Sequence, residues 1–284
     1  MSDGWACNRL VIVKFGVSTF VTDDGVAPGA LGRALEERGF GSVYLAEHTH
    51  IPVKRESPWP GGAELPRQYY RTLDPLVALS AAATATERLR VGTGIALIVQ
   101  RDPILLAKEV ASLDLISGGR AVLGVGAGWN REEMRNHGTD PATRMRLLRE
   151  RVLAVKELWT KDEAEFHGEF VDFDPVFCYP KPVQDPHPPV MIGGAGPTTF
   201  DRVLEFGDGW MPIYGRGTDR LAAMVTELRE RAGRRLPVTV FGVPRDPGAV
   251  EELEAAGVDE LLFNLPTLPE DDTLRYLDRL AALT

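Results

Sequence analysis

The chain is predicted to be an α/β protein, a (β/α)8 TIM barrel with insertions after its second and fourth strands. Three observations predict this. About eight short, β-branched apolar runs recur along the sequence, a helical pattern follows each of them, and 284 residues suffice for one large α/β core. The expected division is therefore a single barrel domain over residues 1–284.

In chain order, the predicted strands are 11–17, 42–46, 89–97, 121–125, 189–192, 209–213, 237–241 and 260–264. The helices between them are 28–38, 74–86, 103–116, 141–159, 198–206, 218–232, 247–256 and 270–283. Several helices begin at Pro, or after Asp or Thr, and several end at a glycine (Gly39, Gly118, Gly207, Gly233, Gly257), as helix punctuation requires. An open doubly wound sheet would carry a glycine fingerprint after its first strand. That turn reads Ser18-Thr19-Phe20-Val21-Thr22, which favours the barrel.

Two connections exceed ordinary loop length. Residues 51–71, with Pro52, Pro58, Pro60 and Pro66, follow the second strand and are expected to form a lid over the barrel mouth. Residues 161–188 hold a short hairpin pattern, from Glu165 to Phe173, before a Pro-rich return, and read as an outer flap.

Bulk composition narrows the partners. A formal net charge of -9 without a basic tract argues against nucleic acid, whose affinity comes mainly from Lys and Arg on phosphates. Cys7 and Cys178 are far apart and make no CxxC pair, so neither a zinc site nor a disulfide scaffold is expected, and a reducing cytoplasm fits. The apolar run from Leu10 to Val17 is interrupted by Lys14 and is too short to span a bilayer, so it reads as a strand and no membrane association is expected.

Barrel active sites form at the C-terminal ends of the strands. Gly193, Gly194, Ala195 and Gly196 end the fifth strand and open a helix. Small residues there allow close backbone approach, and the first-turn N–H groups favour an anion, so the run reads as a phosphate seat or as a tight turn without a ligand. Gly126, Ala127, Gly128 and Trp129 end the fourth strand. Gly92 and Gly94, within the third strand, mark either a bulge beside a flat ligand or small-against-large packing in the barrel.

His48 stands at the end of the second strand and titrates near neutrality, which makes it the candidate general acid or base. Adjacent Glu47 either orients it or, since strand neighbours face opposite ways, binds nearby backbone. His48 and His50 also form a His-x-His pair suited to a metal-dependent hydrolase. The remaining histidines, His137, His167 and His187, lie in helical or loop insertions, so no metal ligand set is assigned and that reading stands as the alternative from another reaction class.

Together, Glu47-His48, the Gly94-Ile95 step, LGVGAGWNREE (123–133), PKPVQ (180–184), MIGGAGP (191–197) and FGDGWMP (206–212) resemble the luciferase-like monooxygenase superfamily. More narrowly, they resemble its branch of oxidoreductases that use the deazaflavin coenzyme F420. The resemblance covers nearly the whole chain. It implies a flavin or deazaflavin ring over a bulge at Gly94, Ile95 and Ala96, often with a non-prolyl cis peptide. It also implies a ring-proximal His48 with Glu47 as its acidic neighbour, cofactor contacts at residues 126–129, and phosphate binding at residues 193–196.

On this resemblance the expected activity is hydride transfer between F420 and a small organic substrate, with FMN-dependent monooxygenation as the alternative, and a homodimer is expected. A cofactor-storage protein is a third reading. Sugar-phosphate dehydrogenases of the family carry an acid directly after the fourth-strand glycines, where this chain has Trp129, which points to a more apolar or aromatic substrate.

Overall fold

The computed structural model describes residues 13–62, 64–217 and 220–284. In chain order its elements are β1 (Lys14–Thr19), α1 (Pro28–Glu37), β2 (Ser42–Leu45), α2 (Gln68–Arg71), α3 (Pro75–Thr84) and β3 (Arg90–Leu97). There follow α4 (Pro103–Ser117), β4 (Ala121–Gly126), α5 (Arg131–Asn136), α6 (Arg144–Thr160), β5 (Glu163–His167), β6 (Asp172–Phe177) and β7 (Val190–Gly193). The chain ends with α7 (Thr199–Phe206), β8 (Gly209–Met211), α8 (Leu221–Ala232), β9 (Thr239–Val243), α9 (Pro247–Ala255), β10 (Glu260–Asn264) and α10 (Glu270–Ala281). The predicted strand start at Val11 and Ile12, the helix start at Thr218 and Asp219, and Cys7 lie outside the described residues.

Eight strands form one sheet in the order β8-β7-β4-β3-β2-β1-β10-β9, every pair parallel. The two edges meet through parallel bridges at Trp210–Val238 and Ile213–Phe241, with Phe241 N–H donating to Pro212 O at 2.8 Å. The sheet therefore closes into the expected (β/α)8 barrel.

The helices start where their caps dictate. Asp74, Asp102 and Asp246 accept first-turn N–H groups of α3, α4 and α9, each followed by Pro at the start of the helix. The helix expected from Pro141 begins only at Arg144. Asp140 Oδ1 instead accepts Ala142 N–H at 2.8 Å, which holds residues 140–143 in a turn of their own.

The barrel interior is layered. At its N-terminal end the buried Glu260 carboxylate accepts Ser42 Oγ (2.7 Å), Thr239 Oγ1 (3.1 Å) and Tyr44 Oη (3.2 Å). Burial, with the adjacent Glu260 charge, raises the Tyr44 phenol far above its usual range, so it serves this charge as a neutral donor. Above lies an apolar layer of Tyr44, Val122, Met191, Met211 and Leu262, with Ile95 and Phe241 packed on it. The opposite, C-terminal end remains for a site.

Both insertions are ordered by specific contacts. The β5–β6 hairpin is antiparallel, and its turn is fixed by buried Glu150 of α6, which accepts the N–H groups of Glu169, Phe170 and Val171 at 2.7–3.0 Å. The PKPVQ stretch is structural: the buried carboxylate of Asp114 accepts Val183 N–H (2.8 Å), Gln184 N–H (3.0 Å) and the Gln184 side-chain amide (2.7 Å). The described residues of the 51–71 insertion reach the barrel mouth, where Tyr69 stands 5.1 Å from His48 between ring centroids, and Ser57 Oγ accepts Arg131 N–H at 3.1 Å, in keeping with the lid reading.

Candidate active site

β3 carries an irregularity near its upper end. Pairing with β4 slips between Thr93 and Ala96, and the Gly94–Ile95 peptide is cis. The bulge expected at this step is present. Ile95 stays partly accessible between buried Gly94 and buried Ala96 and forms the floor of the mouth.

Two glycines read as ligand contacts make room for this side chain. A Cβ on Gly126 would stand 1.9 Å from Ile95 Cδ1, and one on Gly193 would stand 3.3 Å from Ile95 Cγ2. Gly94 has a similar reason, since its Cβ would meet the Phe241 ring at 2.6 Å. The third, fourth and fifth barrel strands thus converge on Ile95.

Glu47 and His48 diverge, as strand neighbours do. Glu47 turns sideways: Oε2 accepts Leu97 N–H at 2.6 Å, and Oε1 binds Arg101 at 2.6 Å. Arg101 also pairs with Asp74 and Glu109. Burial opposes the charge on Arg101, but Glu47 and Asp74 outweigh it and hold the guanidinium firmly protonated. Glu47 therefore anchors the end of β3.

Of the two roles weighed for Glu47, it takes the backbone-binding one, at Leu97, and Glu133 is the carboxylate that meets His48. His48 Nδ1 lies 2.7 Å from Glu133 Oε2, and both side chains are buried. Glu133 Oε1 accepts Thr49 N–H at 3.1 Å, and Asn130 caps α5 by accepting Glu133 N–H at 3.2 Å. With Nδ1–H donated to the carboxylate, Nε2 is left as the exchangeable position, and nothing among the described residues bonds it. The sequence signal was the Asn-x-x-Glu start of α5, a capping pattern whose Glu turns inward.

Aromatic rings enclose the histidine. Tyr69 (5.1 Å between centroids) and Trp129 (5.7 Å) flank it, with Phe20 and Trp59 behind Tyr69. Burial raises the Tyr69 hydroxyl above its ordinary range. Over the Trp129 ring stands the Arg55 guanidinium, 5.1 Å from the centroid. Of these residues only Trp129 was singled out from sequence, because the others sit in connections without a period, Tyr69 in the single turn of α2.

The other expected cofactor segment leaves β7. Ala127 is buried, while Gly128 (φ 75°) and Gly194 (φ 100°) adopt backbone that L side chains rarely take. Added Cβ atoms at Gly194 and Gly196 would meet only Thr199 Oγ1, at 3.8 and 3.9 Å, so this loop is an open cradle. Trp210 Nε1 donates to Gly194 O at 2.7 Å and holds that carbonyl inward. Ala195 is half-buried, and a Cβ added at Gly217 would stand 3.6 Å from its Cβ.

Arg202 of α7 donates to Thr198 Oγ1 (2.6 Å) and Thr199 Oγ1 (3.0 Å), and its shielded Nε has no partner. An uncovered glycine cradle, an eight-residue helix start and an arginine with a spare donor fit an anionic group such as a cofactor phosphate.

The metal alternative lacks its donors. His50 Nδ1 meets Thr49 Oγ1 at 3.0 Å and Nε2 meets Asn136 at 2.9 Å, while His48 Nδ1 is held by Glu133. Among the described residues, no group of three or more His, Cys, Asp or Glu side chains stands close enough to hold an ion. Among these residues, too, no helix is long and apolar enough to cross a membrane.

The chain is similar to known proteins over most of its length. A family described as luciferase-like monooxygenase matches residues 27–246. An uncharacterised protein of Mycobacterium tuberculosis is 42% identical over 277 residues, 95% of this chain and 98% of the relative. An F420-dependent glucose-6-phosphate dehydrogenase of Amycolatopsis mediterranei is 31% identical, over 69% of this chain and 57% of that one. An FMNH2-dependent dimethylsulfone monooxygenase of Pseudomonas putida is 33% identical, over 58% and 47%. The crystal structure of a monooxygenase, RslO1 of Streptomyces bottropensis, superimposes with a TM-score of 0.78 at 21% identity, over 95% of this chain and 98% of that one, and shares the fold.

Proposed function

The chain belongs to the luciferase-like monooxygenase family, and on that premise we propose that it exchanges a hydride between bound coenzyme F420 and a small organic substrate, with His48 handling the accompanying proton. It is an oxidoreductase of the flavin- and deazaflavin-using type, as its relatives are. The observation that carries the finer reading is the buried His48–Glu133 pair, set one strand away from the Ile95 bulge.

Bound at this mouth, the deazaflavin supplies two-electron hydride chemistry. Everything else falls to side chains. Glu133 holds Nδ1–H and balances the charge that forms when Nε2 takes up a proton, so His48 can give or accept one at Nε2. Ile95, Tyr69 and Trp129 provide apolar surface that excludes water. The 193–196 loop and Arg202 hold an anionic tail at a distance from the reacting end.

Anaerobic incubation of the F420-loaded protein with panels of organic alcohols, enones and imines, followed through deazaflavin absorbance, tests this reading. Substrate-dependent bleaching or recovery of the colour is expected. Oxygen consumption with FMN, and an inert F420 complex, would replace it with monooxygenation, the reaction of the FMNH2-dependent relative. The homodimer also stands as a proposal, supported by exposed Val77 on α3 and Leu105, Leu115 and Ile116 on neighbouring α4.

A further inference from the structure

Of the three arginines in the lid, Arg55 is the one without an acidic partner among the described residues. Arg67 and Arg71, in the same insertion, pair with Asp24 and Asp23. Arg55 makes no hydrogen bond and no ion pair among the described residues; its Nη1 is shielded from solvent, and its guanidinium lies over the Trp129 face. A guanidinium stays charged at any pH a protein survives, and a shielded, unpaired donor is costly to keep. A second positive charge, that of Arg216, acts on the Tyr69 hydroxyl in the same cluster.

The position of Arg55 says what it is for. Trp129 touches Arg55 on one side and His48 on another, and Tyr69 contacts both rings. A group bound to Arg55 therefore sits one indole away from the proton-transfer histidine. The anion cradle at residues 193–196 is built on β7 and α7 instead, and it has its own arginine in Arg202. The planar fork of a guanidinium matches a carboxylate with two parallel hydrogen bonds, and the surrounding rings match a flat apolar frame.

We propose that the substrate is a flat, unsaturated organic acid whose carboxylate is taken by Arg55 and whose frame packs on Trp129 and Tyr69 beside His48. This rests on the proposed function only in calling the bound compound a substrate.

Cinnamate and cinnamamide share one frame and differ in charge, so they serve as probes, titrated against the full-length protein with and without F420 and read by tryptophan fluorescence. Cinnamate is expected to bind at least roughly tenfold tighter than the amide, the value of one charge-assisted pair. Arg55→Gln should erase that preference while leaving amide binding and F420 affinity unchanged, and Arg55→Lys should keep part of it. Equal binding of the two probes, no binding of either in the millimolar range, a preference that survives Arg55→Gln, or loss of F420 binding in that variant would each overturn the proposal. A preference that Arg55→Gln removes upholds it even in a protein indifferent to F420, a result that would count against the cofactor reading alone.

Discussion

His48 Nδ1 lies 2.7 Å from Glu133 Oε2, across 85 residues of chain and away from solvent. This contact ties the end of β2 to the helix that follows β4 and settles which imidazole nitrogen faces the mouth. A carboxylate so placed orients the imidazole and can balance the positive charge that arises when the ring takes up a proton, the arrangement a general acid or base needs.

Removing the imidazole should leave binding and take away chemistry. His48→Ala is expected to lower turnover about 10²-fold or more with F420 affinity largely intact, measured by steady-state rates and by cofactor titration. Glu133→Gln should lower turnover in the same direction, because the amide no longer balances the charge. Unchanged rates in both variants would remove the pair from the mechanism.

The cradle can be tested by charge rather than by bulk. At Gly196 a side chain has open space, with only Thr199 Oγ1 at 3.9 Å, so Gly196→Asp should fold with an unchanged melting temperature. Its carboxylate would face an anionic cofactor group and weaken F420 binding at least roughly tenfold. Fluorescence titration beside a thermal melt separates the two effects.

The floor is tested by packing. Gly126→Ala places a methyl 1.9 Å from Ile95 Cδ1 and should destabilise the barrel by about 1–3 kcal/mol while weakening cofactor binding. Ile95→Val removes the colliding atom, so the double variant should recover part of both losses. Additive losses in a double-mutant cycle would show that these residues do not act together.

Acid stability depends in part on Glu36. Burial pushes its carboxyl up, but N–H donors from Glu87 (3.1 Å), Arg88 (2.6 Å) and Leu89 (2.8 Å) outweigh this and hold it below its usual 4.5. A carboxyl lowered by folding contributes stability that is present above 4.5 and is lost as pH falls through its folded value. Urea midpoints should therefore fall across that window in the wild type, and less so in Glu36→Gln, which should start from a lower midpoint at neutral pH.

The fold was legible because a parallel barrel writes each strand as an apolar run and each helix start as a Pro or Asp signal. Among the barrel elements boundaries moved, as at Arg144, where the Asp140 turn displaces the helix start, and the short helices α2 and α5 in the connections were not expected. The site was legible in part. His48 follows the end of the second strand, where position marks it, and the Gly94–Ile95 step lies within the third strand, where its glycines and the family resemblance mark it. Glu133 was not, since its partner is distant in sequence and its local pattern reads as a helix cap. Gly126 and Gly193 were noticed for the right residue type, but their shared reason, the Ile95 side chain, exists only once three strands are side by side. Arg55, Trp59 and Tyr69 lie in a Pro-rich lid whose sequence has no period to place them.

Anaerobic titration of the purified protein with F420 and, separately, with FMN, read by absorbance and fluorescence, decides whether this mouth holds a deazaflavin. Saturable F420 binding that Gly196→Asp weakens and His48→Ala leaves intact is the predicted result. Tight binding of FMN with no response to F420 would contradict it.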